Sequence, residues 1–215
     1  MCQPKLWMRT FSLRSFLCRL ELQCSSCTHT TYAYTAMDTC RSGQDLDDIV
    51  AVGEIGLDFT PWFANTTQER DEQIKVFIKK LEISKDLNLP VNVHSRSAAK
   101  VAIATMKELG IRQALLHNFA RKPLVAMEGV QAGFFFSFLP VVNKNEQSKM
   151  NQIPLEHICL ETDSPALGTD KHVRNEAGNI MICCDHIAKV KGISPEVVME
   201  VTTQNALRLF SKLKT

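Results

Sequence analysis

The stretch AVGEIGLDF, residues 51–59, places an acid, Glu54, between two glycines directly after an apolar lead-in. A short apolar run of this kind is typical of a β-strand. An ionised carboxylate buried without a partner is costly, so a buried Glu54 needs an arginine, a hydrogen-bond network or a metal ion close by. Other potential metal ligands at the ends of similar apolar runs favour a metal ion.

Outward from this stretch, strand-like apolar runs alternate with helical patterns, which indicates a parallel α/β architecture. The runs are DIVAVGEIG (48–56), LPVNVHS (89–95), ALLHNF (114–119), GFFFSF (133–138) and HICLETD (157–163). Five strands with crossover helices fit an open doubly wound sheet or part of an eight-stranded barrel. The number of strands does not separate the two.

Helices are predicted between these runs. Residues 66–88 carry apolar side chains at helical spacing and predict an amphipathic helix with Thr67 as its cap. Two further helices are expected to end at Gly110 and Gly133, and a later one to begin at Ser194.

Composition sets limits on the function. The chain has 215 residues, 45% hydrophobic and 22% charged, which is typical of a globular protein with one domain. Its net charge of +2 gives no global basic field, so a nucleic acid would have to be held by local groups. The longest apolar run, residues 130–142, is too short to cross a bilayer, so no membrane partner is expected.

The first 45 residues differ from the rest. They combine basic and apolar residues without regular periodicity, so we predict a poorly structured segment over 1–45 and a hydrolase-type domain over 46–215. A mitochondrial presequence is the alternative interpretation of the segment. The spacing of CSSC (24–27) is interpreted as incidental rather than as a zinc or redox site.

Cysteine usage predicts the compartment. Cys159, Cys183 and Cys184 lie inside apolar runs and are expected to be buried free thiols, which indicates a reducing, intracellular setting in the cytoplasm or nucleus.

Four strand candidates carry a metal-competent side chain at or near their carboxyl ends: Glu54, His94, His117 and Asp163. Parallel strands end at one rim of the sheet, where α/β proteins place their chemistry. Each residue has a structural alternative: a salt-bridged acid, hydrogen-bonded core histidines, and for Asp163 the cap of a following helix. Four such coincidences at equivalent strand ends favour one shared site.

The chemistry of this set is hydrolytic. Two imidazoles and two carboxylates suit zinc, manganese or magnesium, and such ions activate water and polarise phosphoryl or carbonyl oxygens. Arg96 and Arg174 are candidate clamps for an anionic substrate, or else ordinary surface ion-pair partners.

Several motifs now form an ordered set. They are GEIGLDF (53–59), PVNVHSRS (90–97), LLH-F (115–119), LETDSPALG (160–168), RNE (174–176) and TTQNALRLF (202–210). Together, over about residues 47–213, they resemble the TatD family of metal-dependent deoxyribonucleases.

The resemblance implies an eight-stranded α/β barrel of the amidohydrolase type with two divalent cations at its rim, and hydrolysis of DNA phosphodiester bonds. It makes Glu54 the bridging ligand, His94 and His117 ligands of one ion, and Asp163 a ligand of the other and the base that positions water. Glu54 and Asp163 are thus the implied catalytic residues, and a monomer is expected.

The sequence also departs from the family pattern. Family members begin with a strand that carries His-x-His, and no such pair occurs here; CTHTT offers only His29. The five strands match the last five of the barrel, so we expect an incomplete barrel that lacks the N-terminal third of the family domain and keeps one intact cation site. The alternatives are a truncated, catalytically impaired or inactive family member, and a related amidohydrolase acting on a small ester or amide.

Overall fold

The computed structural model describes residues 49–120, 122–139, 150–170 and 172–213. The N-terminal segment 1–45, with its CSSC, lies outside these residues. The strands are β1 (Val52–Asp58), β2 (Val91–Arg96), β3 (Ala114–Leu116), β4 (Phe135–Phe138) and β5 (Ile158–Leu160). The helices are α1 (Thr67–Asp86), α2 (Ala99–Glu108), α3 (Pro123–Gln131), α4 (Ile180–Lys191) and α5 (Pro195–Leu209), with 3-10 turns at Leu155–His157 and Ala177–Asn179. All five predicted strands are confirmed.

The five strands form one parallel sheet in the order β1-β2-β3-β4-β5, so each strand pairs with its neighbours in sequence. This order arises when every crossover moves the chain one position in the same direction, as in a (β/α) barrel. A doubly wound sheet reverses its strand order part-way. The structure therefore excludes the doubly wound alternative and agrees with the barrel-type prediction.

Alternation along the strands separates two faces of the sheet. Val91 and Val93 of β2 are fully buried and belong to the main apolar core together with helix residues such as Ile103. Asn92 and His94 alternate with them and point to the opposite face, here called the inner face. Helices thus cover one side of the sheet, and the polar side chains collect on the other.

The inner face is closed by an apolar cluster at the amino ends of the strands. The last turn of α5 reaches it with Leu209 and Phe210, which are 1% and 3% exposed. The cluster, here called the floor cluster, consists of Ala51, Leu115, Phe135, Cys159, Ala206, Leu209 and Phe210. Its burial leaves the carboxyl ends of the strands as the open, polar end of the inner face.

Local sequence explains the helix ends. Thr66 caps α1 with a capping box: its hydroxyl accepts from the Glu69 main-chain N–H at 3.2 Å, and its own N–H donates to the Glu69 carboxylate at 2.8 Å. The prediction of Thr67 as the cap is wrong by one residue. Gly110 and Gly133 follow α2 and α3 with φ of 69° and 86°, a left-handed conformation that glycine adopts without strain.

The fifth helix begins as predicted, since the Ser194 hydroxyl accepts from the Val197 N–H.

The three thiols at Cys159, Cys183 and Cys184 are free and buried, which confirms the prediction made for them. None of the helices in the described ranges has the length and apolar character that a membrane crossing requires.

Candidate metal centre

Three of the predicted site residues meet on adjacent strands near the carboxyl rim, with Glu54 as the third of the seven residues of β1. Glu54 belongs to β1 and His94 to β2, while His117 directly follows β3. The Oε1 of Glu54 lies 2.7 Å from Nε2 of His117 and 3.1 Å from Nδ1 of His94. The two ring nitrogens are 3.2 Å apart. One oxygen and two nitrogens therefore form a small triangle, here called the donor triangle.

The donor triangle can be tested against cation geometry. Neighbouring ligands of an octahedral cation with bonds of about 2.1 Å lie about 3.0 Å apart, and those of a tetrahedral cation with bonds of about 2.0 Å about 3.3 Å apart. The observed separations of 3.1 and 3.2 Å fall between these two values, and the separation of 2.7 Å is shorter than both. Small outward movements of the side chains suffice for a divalent cation, so the donor set fits one.

Each imidazole is also faced by a carboxylate on its other nitrogen. Nδ1 of His117 lies 3.7 Å from Oε2 of Glu161, and Nε2 of His94 lies 3.7 Å from Oδ2 of Asp58. Carboxylates behind ligating histidines are a recurrent feature of metal sites, where they fix the ring orientation and the tautomer. The pairing leaves the nitrogens of the donor triangle directed toward Glu54.

These outer carboxylates are themselves held in place. Oε1 of Glu161 accepts from the Asn118 N–H at 2.7 Å, in the residue after His117. Oδ1 of Asp58 accepts from the N–H and the hydroxyl of Thr60 at 2.9 and 2.6 Å. The orientation of both rings is thereby tied to the backbone of the rim.

The charges around the donor triangle favour a proton at the position where a cation would bind. Burial alone would lower the pKa of His117, but the carboxylates of Glu161 and Glu54 raise it to about 10. Burial alone would raise the pKa of Glu54, but the hydrogen bonds and positive charge of His117 and His94 hold that pKa well below its ordinary value. The pair therefore holds a proton between Glu54 and His117 when no cation is present.

Asp163 lies in the loop after β5, outside the group whose donor atoms fall within 4.8 Å of one another among the described residues. It has φ of 56°, and its carbonyl accepts from the Ala166 N–H in a turn at 3.1 Å. No helix begins at this point, so Asp163 does not cap one.

The loop that holds Asp163 is fixed by Asn175, which is 2% exposed. The Asn175 amide donates to the carbonyls of Thr162 and Ala166 at 2.6 and 2.7 Å, on both sides of Asp163. Arg174 is exposed in the same loop. Arg96 ends β2 two residues after His94, with its guanidinium carbon 5.5 Å from the centre of the Trp62 ring.

Sequence reasoning missed Asp58 and Glu161. A signal was available for both, because residues two or four apart on a strand share a face. Asp58 is four residues after Glu54, and Glu161 is two residues before Asp163. Same-face acids next to a candidate ligand were the pattern that would have identified them.

Comparison with known proteins adds to this geometry. Residues 24–211 match the family model described as TatD related DNase. The chain belongs to the TatD related DNase family. A tatdn3 protein of Danio rerio is 80% identical over 170 residues, 78% of this chain and 64% of that protein. The human protein named deoxyribonuclease TATDN3 is 55% identical over 78% of this chain and 62% of its own length.

More distant relatives are also similar to this chain. A Bacillus subtilis protein described as the uncharacterized metal-dependent hydrolase YabD is 32% identical over 76% of this chain and 66% of its own. The crystal structure of YJJV, a TatD homologue from Escherichia coli, superposes with a TM-score of 0.72 at 20% identity, covering 85% of this chain and 71% of the other. The likeness supports the barrel-type fold.

The family match corrects one prediction. It begins at residue 24, inside the segment set apart by its composition, so the expected loss of the N-terminal third of the family domain is not borne out. The chain spans less than two thirds of the length of the vertebrate relatives above. The alternative of an impaired or inactive family member is not favoured by these matches.

Proposed function

We propose that this chain uses the donor triangle to hold a divalent cation and hydrolyses phosphodiester bonds of DNA. The observation that carries the proposal is the convergence of Glu54, His94 and His117 at one rim, with donor atoms 2.7 to 3.2 Å apart. The family match and the names of the vertebrate relatives supply the reaction class.

A bound divalent cation, for which zinc, magnesium and manganese are the candidates, would supply Lewis-acid polarisation of a phosphoryl oxygen and a lowered pKa of water. Glu54, His94 and His117 would hold one cation, and Glu54 and Asp163 would be the residues available to hold a second. The donor triangle is the more complete of the two sites. Glu161 and Asp58 keep the imidazoles oriented, and a carboxylate oxygen of Asp163 accepts the proton of the attacking water.

Charge supports a cation as the first ligand to bind. Four carboxylates, those of Glu54, Asp58, Glu161 and Asp163, lie at or next to this rim, and together they repel a phosphodiester anion. DNA is therefore expected to bind less tightly without cations and to be cleaved only after cations have bound. Arg96 and Arg174 are the positive side chains that we assign to its phosphates.

The organisation of the chain is part of the proposal. Residues 46–215 form the hydrolase domain and residues 1–45 a separate segment, although the family match extends into the latter from residue 24. We propose a monomeric intracellular protein of the cytoplasm or nucleus, on the strength of three buried free thiols. A mitochondrial location is the alternative.

The test is a cleavage assay on the full chain after treatment with EDTA. We expect degradation of a DNA oligomer on addition of Mg²⁺, Mn²⁺ or Zn²⁺, and its loss in a His94→Ala, Asp163→Ala double variant. His172→Ala, which changes an exposed histidine outside the donor triangle, is the matched control and should cleave normally. Cleavage no greater for the unaltered chain than for the double variant would refute the proposal.

A further inference from the structure

Trp62 is an unusual feature of the open rim. It lies in the turn after β1 and is 68% exposed. Among the exposed apolar side chains of the described residues it is the one aromatic. The turn that carries it is well anchored, because the Thr60 carbonyl accepts from the N–H groups of Phe63 and Ala64, each at 2.9 Å. The indole is thus presented to solvent from a fixed backbone.

The indole is linked to the candidate metal centre through Arg96. The Arg96 guanidinium carbon lies 5.5 Å from its ring centre, within the range of a cation–π contact. Arg96 is on the same strand face as His94, about 7 Å further along the strand. Thr60, at the start of the turn, bonds the Asp58 carboxylate that faces His94.

We propose that Trp62 and Arg96 form a subsite that stacks one nucleobase of the DNA strand whose phosphodiester lies at the metal centre. The inference rests on the proposed function in taking DNA as the substrate. The indole supplies a flat apolar face, and the guanidinium supplies a positive charge that pairs with a phosphate of the same strand.

The subsite distinguishes unpaired bases from bases stacked inside a duplex. Bases inside a duplex are already stacked on both faces, so only an unpaired or terminal base can offer a face to the indole. Stacking of one base on an aromatic side chain strengthens binding by about 5- to 150-fold. The contact is insensitive to base identity because every base has a π-face. We therefore expect a preference for unpaired strands without strong sequence preference.

The first measurement uses the fluorescence of the indole itself. The chain contains two tryptophans, Trp7 and Trp62, so a Trp7→Phe variant reports on Trp62 alone. A decamer of thymidylate and an abasic deoxyribose-phosphate decamer are titrated in EDTA. We expect the thymidylate decamer to quench the emission saturably and the abasic decamer to leave it unchanged. Equal responses to the two decamers would overturn the proposal.

The second measurement keeps Trp7 and follows the anisotropy of labelled decamers. The unaltered chain should bind the thymidylate decamer about tenfold more tightly than the abasic one. Trp62→Ala should abolish this ratio and Trp62→Phe retain most of it, while Arg96→Gln weakens binding of both decamers. A ratio in Trp62→Ala equal to that of the unaltered chain would refute the subsite.

A matched control is Ile193→Ala, which removes another exposed apolar side chain, in the turn after α4. It should keep the tenfold ratio. Binding in EDTA is independent of hydrolysis, so the two proposals fail separately. A Trp62-dependent ratio without metal-dependent cleavage would support the subsite and contradict the proposed hydrolysis. Metal-dependent cleavage without that ratio would support the hydrolysis and contradict the subsite.

Discussion

The two ends of the inner face differ in chemistry although the same strands build both. At the amino ends, Leu115, Phe135 and Cys159 pack into the floor cluster. Two residues further along the chain, His117 and Glu161 stand in the corresponding positions at the rim. One end thus excludes water and the other collects titratable groups. Position along a strand thus decides whether an inward side chain stabilises the fold or can serve chemistry.

The largest expected effect is at the rim. His117→Ala removes one corner of the donor triangle, and we expect metal affinity to fall by about 1000-fold or more, about 4 kcal/mol. The loss should exceed that from removing an outer partner of a ligand, about 10- to 100-fold. Calorimetric titration of the EDTA-treated chain measures it, with His172→Ala as control. Equal metal affinities in His117→Ala and His172→Ala would show that this rim residue does not bind the metal.

The next effect is at the floor. Phe135 is 6% exposed and packs against the His157 ring and the Arg208 guanidinium. Phe135→Ala should lower the free energy of unfolding by about 3–4 kcal/mol because it leaves a cavity. Urea denaturation measures this, with Val173→Ala, an exposed position, expected within about 0.5 kcal/mol of the unaltered chain. Metal affinity of folded Phe135→Ala should be unchanged; a parallel loss would show that the ends are not independent.

A smaller effect tests the carboxylate behind His117. Glu161→Gln keeps an oxygen for the Asn118 N–H but removes the charge that faces Nδ1 of His117. We expect metal affinity to fall by about 10- to 100-fold. Glu156→Gln changes an exposed glutamate in the 3-10 turn before β5 and should have no effect on calorimetric affinity. A similar loss in both variants would argue against an orienting role for Glu161.

The fourth prediction concerns pH. The pKa of His117 is about 10 in the metal-free fold and about 6.5 in an unfolded chain. Its protonated form therefore stabilises the metal-free fold fully below about pH 6.5, and this contribution is lost as pH rises toward 10. The pKa of Glu54 is lowered, so its contribution is present at neutral pH and is lost only in acid.

Metal must displace the His117 proton, so metal affinity should move in the opposite direction to metal-free stability. We expect affinity to rise by up to about tenfold per pH unit between pH 6.5 and 8.5. Over the same range the melting temperature of the EDTA-treated chain should fall. Titrations and thermal melts at matched pH check both slopes. Metal affinity that does not change with pH would contradict the protonated donor triangle.

The smallest expected effect is at the start of α1, where the cap serves folding. Thr66→Ala removes the cap of α1 and should cost about 1 kcal/mol of stability. Thr67→Ala, one residue inside the helix, should cost less than about 0.5 kcal/mol. Neither should alter metal affinity. Thermal denaturation compares the two variants, and a greater cost for Thr67→Ala would contradict the capping geometry.

Much of this fold was predictable because strands and helices leave different periods in the sequence. The five apolar runs identified the strands, and glycines placed the ends of α2 and α3. The order of strands was not predictable from residues alone, since it depends on the direction of each crossover. The shift from Thr67 to Thr66 reflects two adjacent threonines with equal capping chemistry, between which the position of Glu69 decides.

The sequence predicted that Glu54, His94 and His117 would lie together, but not which carboxylates would face the histidines. Glu54, His94 and His117 were identified because several metal-competent side chains at equivalent positions of parallel strands favour one shared site. Asp163 remains a prediction as a ligand, since its carboxylate lies outside the donor triangle. Glu161 and Asp58 were missed because their one signal in sequence is a shared strand face with a candidate ligand, while their 3.7 Å contacts with the imidazoles depend on the fold.

In our proposal the donor triangle binds a divalent cation through two imidazoles and one carboxylate. X-ray absorption at the zinc edge of the zinc-loaded chain tests it most directly. We predict nitrogen and oxygen neighbours at about 2.0–2.2 Å with imidazole scattering that decreases in His94→Ala. Sulfur neighbours at about 2.3 Å, or scattering unchanged by that substitution, would contradict the claim.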